Sequence, residues 1–156
     1  MKTSLLVLVL LVAPLSPAVM AATVACPDLA TAVQVGACPA EEELKYTFNG
    51  YCSDDARAYK GETGVCTDYQ RYRALKNVAL WESADGEFNA YVSCDLPPAT
   101  VKGTRASAVR VGKVGKMTQL VCSYGEDIRF THRTRAECKV DASADCTGAA
   151  CKASCN

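Results

Sequence analysis

The chain is short of the residues that build large apolar cores. Its 156 residues include one Trp and three Phe, and Ile128 is the only isoleucine. Beyond Ala22, Leu, Ile, Val and Phe together number 22, a share that in a highly charged chain would signal disorder. Charge of one sign is missing too. Seventeen basic residues face seventeen acidic ones, which excludes the overall charge of a histone-like packer or a long acidic tail. No segment past the first 22 residues reaches the run of about 18 apolar residues that a membrane-spanning helix requires. Catalytic signatures are equally sparse. There is no G-x-S-x-G elbow and no C-x-x-C redox pair. His132, the single histidine, lies on what reads as the inward side of a strand, where a structural role is the simpler reading, since a nucleophile needs its base alongside. Gly61-Glu62-Thr63-Gly64 reads as a turn, and Val111-Gly112-Lys113-Val114-Gly115-Lys116 lacks phosphate-loop spacing.

What the chain has is ten cysteines: Cys26, Cys38, Cys52, Cys66, Cys94, Cys122, Cys138, Cys146, Cys151 and Cys155. It also has an N-terminal leader pattern. Lys2 precedes the nearly unbroken apolar run from Ser4 to Ala13, and small Ala21 and Ala22 then offer a cleavage site, so 1–22 reads as a secretory signal peptide. Export means an oxidising space in which disulfides persist. The expectation is therefore secretion or a periplasmic location, with five bridges standing in for missing core. Acylation of Cys26 as a lipoprotein anchor is the rival reading; it would leave an odd number of cysteines and one unpaired thiol. A metal site on Cys146, Cys151 and Cys155 does not match zinc-ligand spacing, so neither metal nor cofactor is expected. Connectivity cannot be read from spacing; Cys26–Cys38, Cys52–Cys66 and Cys94–Cys122 are the pairings considered.

Along the chain, Leu44, Tyr46 and Phe48 alternate with polar residues before Asn49-Gly50, a pattern that suggests a strand and turn. Ser53-Asp54-Asp55 suggests a short helix as far as Tyr59. Thr67 followed by Gln70 resembles a capping box opening a helix with Tyr69 and Tyr72 on one side. Two hairpins are clear: Val78 to Cys94 around Asp85-Gly86, and Met117 to Arg135 around Gly125. Residues 106–114 alternate loosely. In 128–135, Ile128, Phe130, His132 and Thr134 share the inward face, and Arg129, Thr131, Arg133 and Arg135 the outward one. The expected fold is one small disulfide-rich α+β domain, dominated by antiparallel β-hairpins with one or two short helices. It spans 23–138, with 139–156 as a Cys-rich tail stapled to it rather than packed.

Charge is uneven along this chain. Residues 26–95 hold 12 acids and 6 bases, whereas residues 96–135 hold 8 bases and 2 acids. Those bases, Lys102, Arg105, Arg110, Lys113, Lys116, Arg129, Arg133 and Arg135, are the candidate binding residues, because Arg forks suit planar anions. The plain alternative is that they neutralise the acidic first half. Aromatics do not interleave with them as a stacking platform would require, which argues against nucleic acid. The expected function is an exported, non-catalytic binding protein, an inhibitor or immunity protein showing a rigid basic surface to a protein partner. The alternatives are a secreted effector that binds anionic envelope glycans or lipids, and a small secreted hydrolase. Leu120-Val121-Cys122-Ser123-Tyr124-Gly125 resembles segments of small periplasmic bacterial β-proteins of the lysozyme-inhibitor type. The inhibitory loop of those proteins has no counterpart here, so no residue role is carried over.

Overall fold

The computed structural model describes residues 21–56, 63–141 and 145–156. They form a small disulfide-rich α+β domain. Two antiparallel sheets carry it. The larger has six strands in the order β2 (Val33–Gln34), β3 (Val78–Glu82), β4 (Asn89–Ser93), β7 (Ile128–Thr134), β6 (Met117–Tyr124) and β5 (Ala108–Val114). The smaller runs β1 (Ala22–Ala25), β9 (Lys152–Cys155), β8 (Cys138–Val140). Among the described residues there are four α-helices: α1 (Glu41–Cys52), α2 (Thr63–Cys66), α3 (Tyr69–Lys76) and α4 (Pro98–Gly103).

Both expected hairpins form. Gly86 and Gly125 sit at their turns with φ of 73° and 63°, a left-handed conformation that glycine enters without a Cβ penalty. Strand alternation then separates inside from outside. Ala79, Trp81, Ala90, Val92, Val109, Leu120, Cys122, Tyr124, Ile128 and Phe130 are all buried. Over this inner face lie Leu29 from a short 3-10 turn, Val101 from α4, and Cys151, Ala153 and Cys155 from the tail, making one continuous core. Much of that core is Ala and Cys, which agrees with the scarcity of larger apolar residues.

All ten cysteines are paired. Cys52–Cys66 matches the expectation. The other two expected pairings are overturned: Cys26 joins Cys122, and Cys38 joins Cys94. The reason is topological. The Cys26 N–H bonds the Cys151 carbonyl at 2.8 Å, so the chain beyond β1 runs over the inner face of β6, where Cys122 is buried. The remaining bridges are Cys138–Cys155 and Cys146–Cys151. The tail departs from expectation in that it packs as well as being bridged: Cys151 and Ala153 are fully buried, and β9 pairs with β1.

The expected strand at 44–48 is instead part of α1. Three glutamates, Glu41, Glu42 and Glu43, occupy its first turn, where they face the positive end of the helix dipole. Leu44, Phe48 and Tyr51 recur at helical spacing and meet α3: the Phe48 ring lies 5.4 Å from Tyr69 and 5.2 Å from Tyr72, edge-on to each. The α3 N-cap is Asp68, whose side chain accepts from the Gln70 N–H at 2.9 Å, one residue later than the expected Thr67. The helix expected to reach Tyr59 falls largely outside the described residues, as do residues 1–20 of the expected leader.

Besides the Cys38–Cys94 bridge, one cation clasps the helical layer α1–α3 to the sheet. Arg73 donates to both oxygens of Asp95 at 2.8 and 2.9 Å and to Glu41 at 3.2 Å. Asn77 adds a bond to Asp95 at 3.0 Å. The Arg73 contact holds the Asp95 carboxyl below its ordinary pKa. Glu41 is lowered in the same way, chiefly by the Tyr69 hydroxyl, while desolvation and Glu41 together push the Tyr69 phenol up to about 12.

Candidate functional site

The six-stranded sheet has a second face, and its side chains are open to solvent. Alternation places on it the residues between the buried ones. Register defines two rows across the strands. In the first, Val35 lies beside Leu80, which pairs with Tyr91; past β7, Ser123 pairs with Arg129 and Ala108. In the second, Val33, Glu82, Asn89, Thr131, Val121 and Arg110 follow one another. Arg133 sits opposite Gln119 in the next row. Tyr91 is 71% exposed, Val35 51% and Val33 47%, while Leu80, Val121 and Thr131 on the same face are half-buried.

The face is graded. Its β2–β3 side carries Val33, Val35 and Leu80 beside one carboxylate, Glu82. Tyr91 stands near the middle. The β7–β5 side carries Arg129, Arg133 and Arg110. Arg110 and Arg129 are separated by one intervening strand, roughly 10 Å at ordinary strand spacing, and Arg129 and Arg133 by four residues, roughly 13 Å. None of these three makes an ion pair with a described residue, although Arg71, Arg73 and Lys113 all do. No close ion pair with the acidic first half therefore engages them, although Asp85 and Glu87 line one cleft with Arg133.

The remaining candidate bases are spread out. Arg135 follows β7 in a bend and Lys116 lies in the β5–β6 turn, both exposed. Lys113 alternates away from Arg110; its ammonium bonds the Thr118 hydroxyl at 3.0 Å and pairs with Glu137. Lys102, on α4, and Arg105, just after it, are exposed and lie outside the rows of this sheet face. The structure thus gathers Arg110, Arg129 and Arg133 and leaves the other five around or beyond them.

His132 points inward as expected. Its Nδ1 lies 2.9 Å from the Glu87 carbonyl and 3.3 Å from the Glu87 carboxylate, and its ring is 5.2 Å from Phe88. These contacts fasten β7 to the β3–β4 turn. In that turn the Ser83 hydroxyl and the Glu87 N–H hold Asp85 below its ordinary pKa. Among the described residues no cluster of His, Cys, Asp and Glu is arranged to hold a metal.

Tyr91, Leu80, Val33 and Val35 were not singled out from sequence. The signal for Tyr91 is present in Ala90-Tyr91-Val92: if Ala90 and Val92 face in, Tyr91 must face out. Leu80 is masked by the unbroken apolar run Val78-Ala79-Leu80-Trp81. Comparison with protein-family models, curated proteins and solved structures returned no match. Fold and site together define the molecule as a small disulfide-braced α+β domain with one open sheet face. No described helix is long and apolar enough to cross a membrane.

Proposed function

We propose that this is an exported, non-catalytic binding protein that works in an oxidising compartment and presents the open sheet face to an acidic protein partner. The observation that carries the reading is the conjunction on one sheet face of exposed Tyr91, apolar neighbours and three arginines without an ion-pair partner among the described residues. Tyr and Arg dominate the energetics of protein interfaces because each offers a large contact area with a polar handle. A sheet held by bridged strands loses little conformational freedom on binding, which favours affinity. The five disulfides and the leader pattern support the compartment.

The test is a photo-crosslinking residue placed at position 91, at 131, or at exposed Lys139 on the other sheet as control. A single protein adduct is expected from 91 and 131 and none from 139. Arg129→Glu with Arg133→Glu should weaken the adduct's complex by roughly 30-fold or more, the level of an interface hot spot. Binding that survives both charge reversals and Tyr91→Ala would overturn the reading. Binding that collapses between low and physiological salt, with no protein adduct, would point to an anionic glycan or lipid through screened charge alone.

A further inference from the structure

Arg105 does not join the sheet face, and its surroundings are informative. It lines a cavity of about 460 Å³ where four stretches of chain meet: Cys26-Pro27-Asp28, Thr104-Arg105-Ala106, Tyr124 and Thr147-Gly148-Ala149. Ligand pockets fall in this range of volume. Its walls are tied together. Cys26 is bridged to Cys122, the Tyr124 hydroxyl donates to the Pro27 carbonyl, and the Gly148 N–H donates to the Ala106 carbonyl at 2.8 Å.

Two opposite charges line this space without pairing. Asp28 accepts from the Ala30 N–H through one carboxylate oxygen at 3.0 Å, and neither it nor Arg105 makes an ion pair with any described residue. An acid and a base that line one concave site without an ion pair between them can each take the complementary charge of a bound zwitterion. Buried Cys26, Ala106 and Tyr124 line the same space and offer an apolar wall for the rest of such a molecule.

We infer that this cavity binds a small zwitterion of the α-amino acid class, its ammonium toward Asp28, its carboxylate on the Arg105 guanidinium and its side chain against Tyr124 and Ala106. An Arg fork takes a carboxylate bidentately, and the carboxylate oxygen of Asp28 not used for capping remains for the ammonium. This site is separate from the sheet face and does not depend on that face being functional.

The experiment is an NMR titration of the disulfide-intact protein with L-leucine and L-phenylalanine, alongside N-acetyl-L-leucine and L-leucinamide. At least one free amino acid should shift the amides of Arg105, Gly148 and Ala149 saturably, and blocking either charged end should weaken binding about tenfold or more, the value of a lost charge-assisted contact. Asp28→Asn keeps the N-cap, since Asn caps as well as Asp, and Arg105→Gln keeps most of the stem. Each should cost about tenfold in affinity while leaving the urea midpoint unchanged. No saturable shift at those amides with either amino acid would overturn the assignment. So would equal binding of N-acetyl-L-leucine, which would make the site a plain anion site, or titrations indifferent to both substitutions.

Discussion

The β body and the helical layer are stabilised by different means. In the β body, Phe130, Leu120, Val101 and Leu29 are fully buried in a single core shared by both sheets and the tail. In the layer α1–α3, Leu44 and Tyr72 alone among the described residues are buried, and neither belongs to that core. The layer is held by edge-on rings, by its own bridge Cys52–Cys66, by the tether Cys38–Cys94 and by the Arg73 clasp. In the β body, then, disulfides reinforce burial, whereas in the helical layer they substitute for it. A prior drawn from composition, that cross-links replace a thin core, holds for one region and understates the other.

The sharpest way to break the comparison is to remove one bridge from each region. Cys26–Cys122 spans a sequence separation of 96, but Cys38–Cys94 is nested within it, so the loop it effectively closes is only some 40 residues and the chain-entropy term is roughly 4 kcal/mol. Cys52–Cys66, with a separation of 14, is worth roughly 3 kcal/mol by the same relation. The magnitudes are close, yet the consequences should differ in extent. Replacing Cys26 and Cys122 by Ala also opens the core at a fully buried position, so the urea midpoint of the whole molecule should fall. Replacing Cys52 and Cys66 should raise amide exchange in α1 and α3 while the strands keep their protection. Uniform loss of protection in both variants would show that the layer and body unfold as one unit.

A smaller effect comes from acid. Asp95 and Glu41 have folded pKa values below their ordinary ones, through Arg73 and through the Tyr69 hydroxyl respectively. A carboxyl lowered on folding adds stability that is fully present above its unfolded pKa of about 4 and is lost as pH falls toward the folded value. Asp95 joins the helical layer to the sheet and Glu41 joins α1 to α3 within it, so acidification below about pH 4 should loosen α1–α3 before the β body. Near-UV circular dichroism of the layer's tyrosines against far-UV strand signal would detect it. Arg73→Met should move the onset of that loosening, because it removes the partner that lowers Asp95; coincident acid transitions in both variants would deny the clasp its role.

Legibility from sequence follows the same divide. The hairpins were readable because their signals are local: glycine at a left-handed turn and period-two alternation on either side. Arg129 and Arg133 could be placed outward from that alternation alone. The helix α1 was not, because five residues of alternating polarity from Leu44 to Phe48 satisfy a strand, while Leu44, Phe48 and Tyr51 equally satisfy a helix, and only the partner surface on α3 decides. Of the disulfide pairings considered only Cys52–Cys66 forms, and loop length does not explain why, since the comparably short Cys26–Cys38 does not form and Cys146–Cys151, shorter still, does. The pair Cys26–Cys122 depends on the tail lying beside β1, which no local pattern encodes. The meeting of Asp28 and Arg105 in one cavity is of the same kind, since they lie far apart in the chain and come together through the packing of the Leu29–Thr31 turn on α4.

The mildest probe is Gly50. It lies inside α1, where glycine costs roughly 0.5–1 kcal/mol relative to alanine through lost backbone freedom. A Cβ built there meets no atom within 4 Å, so packing does not require its absence. Gly50→Ala should therefore stabilise the helical layer by about that amount, slow amide exchange in α1, and leave the β body untouched. If the layer truly lacks burial of its own, this small propensity gain should be visible as a local change. If instead the exchange of α1 does not respond, its protection is set by opening of the whole molecule, and the two regions share one stability after all.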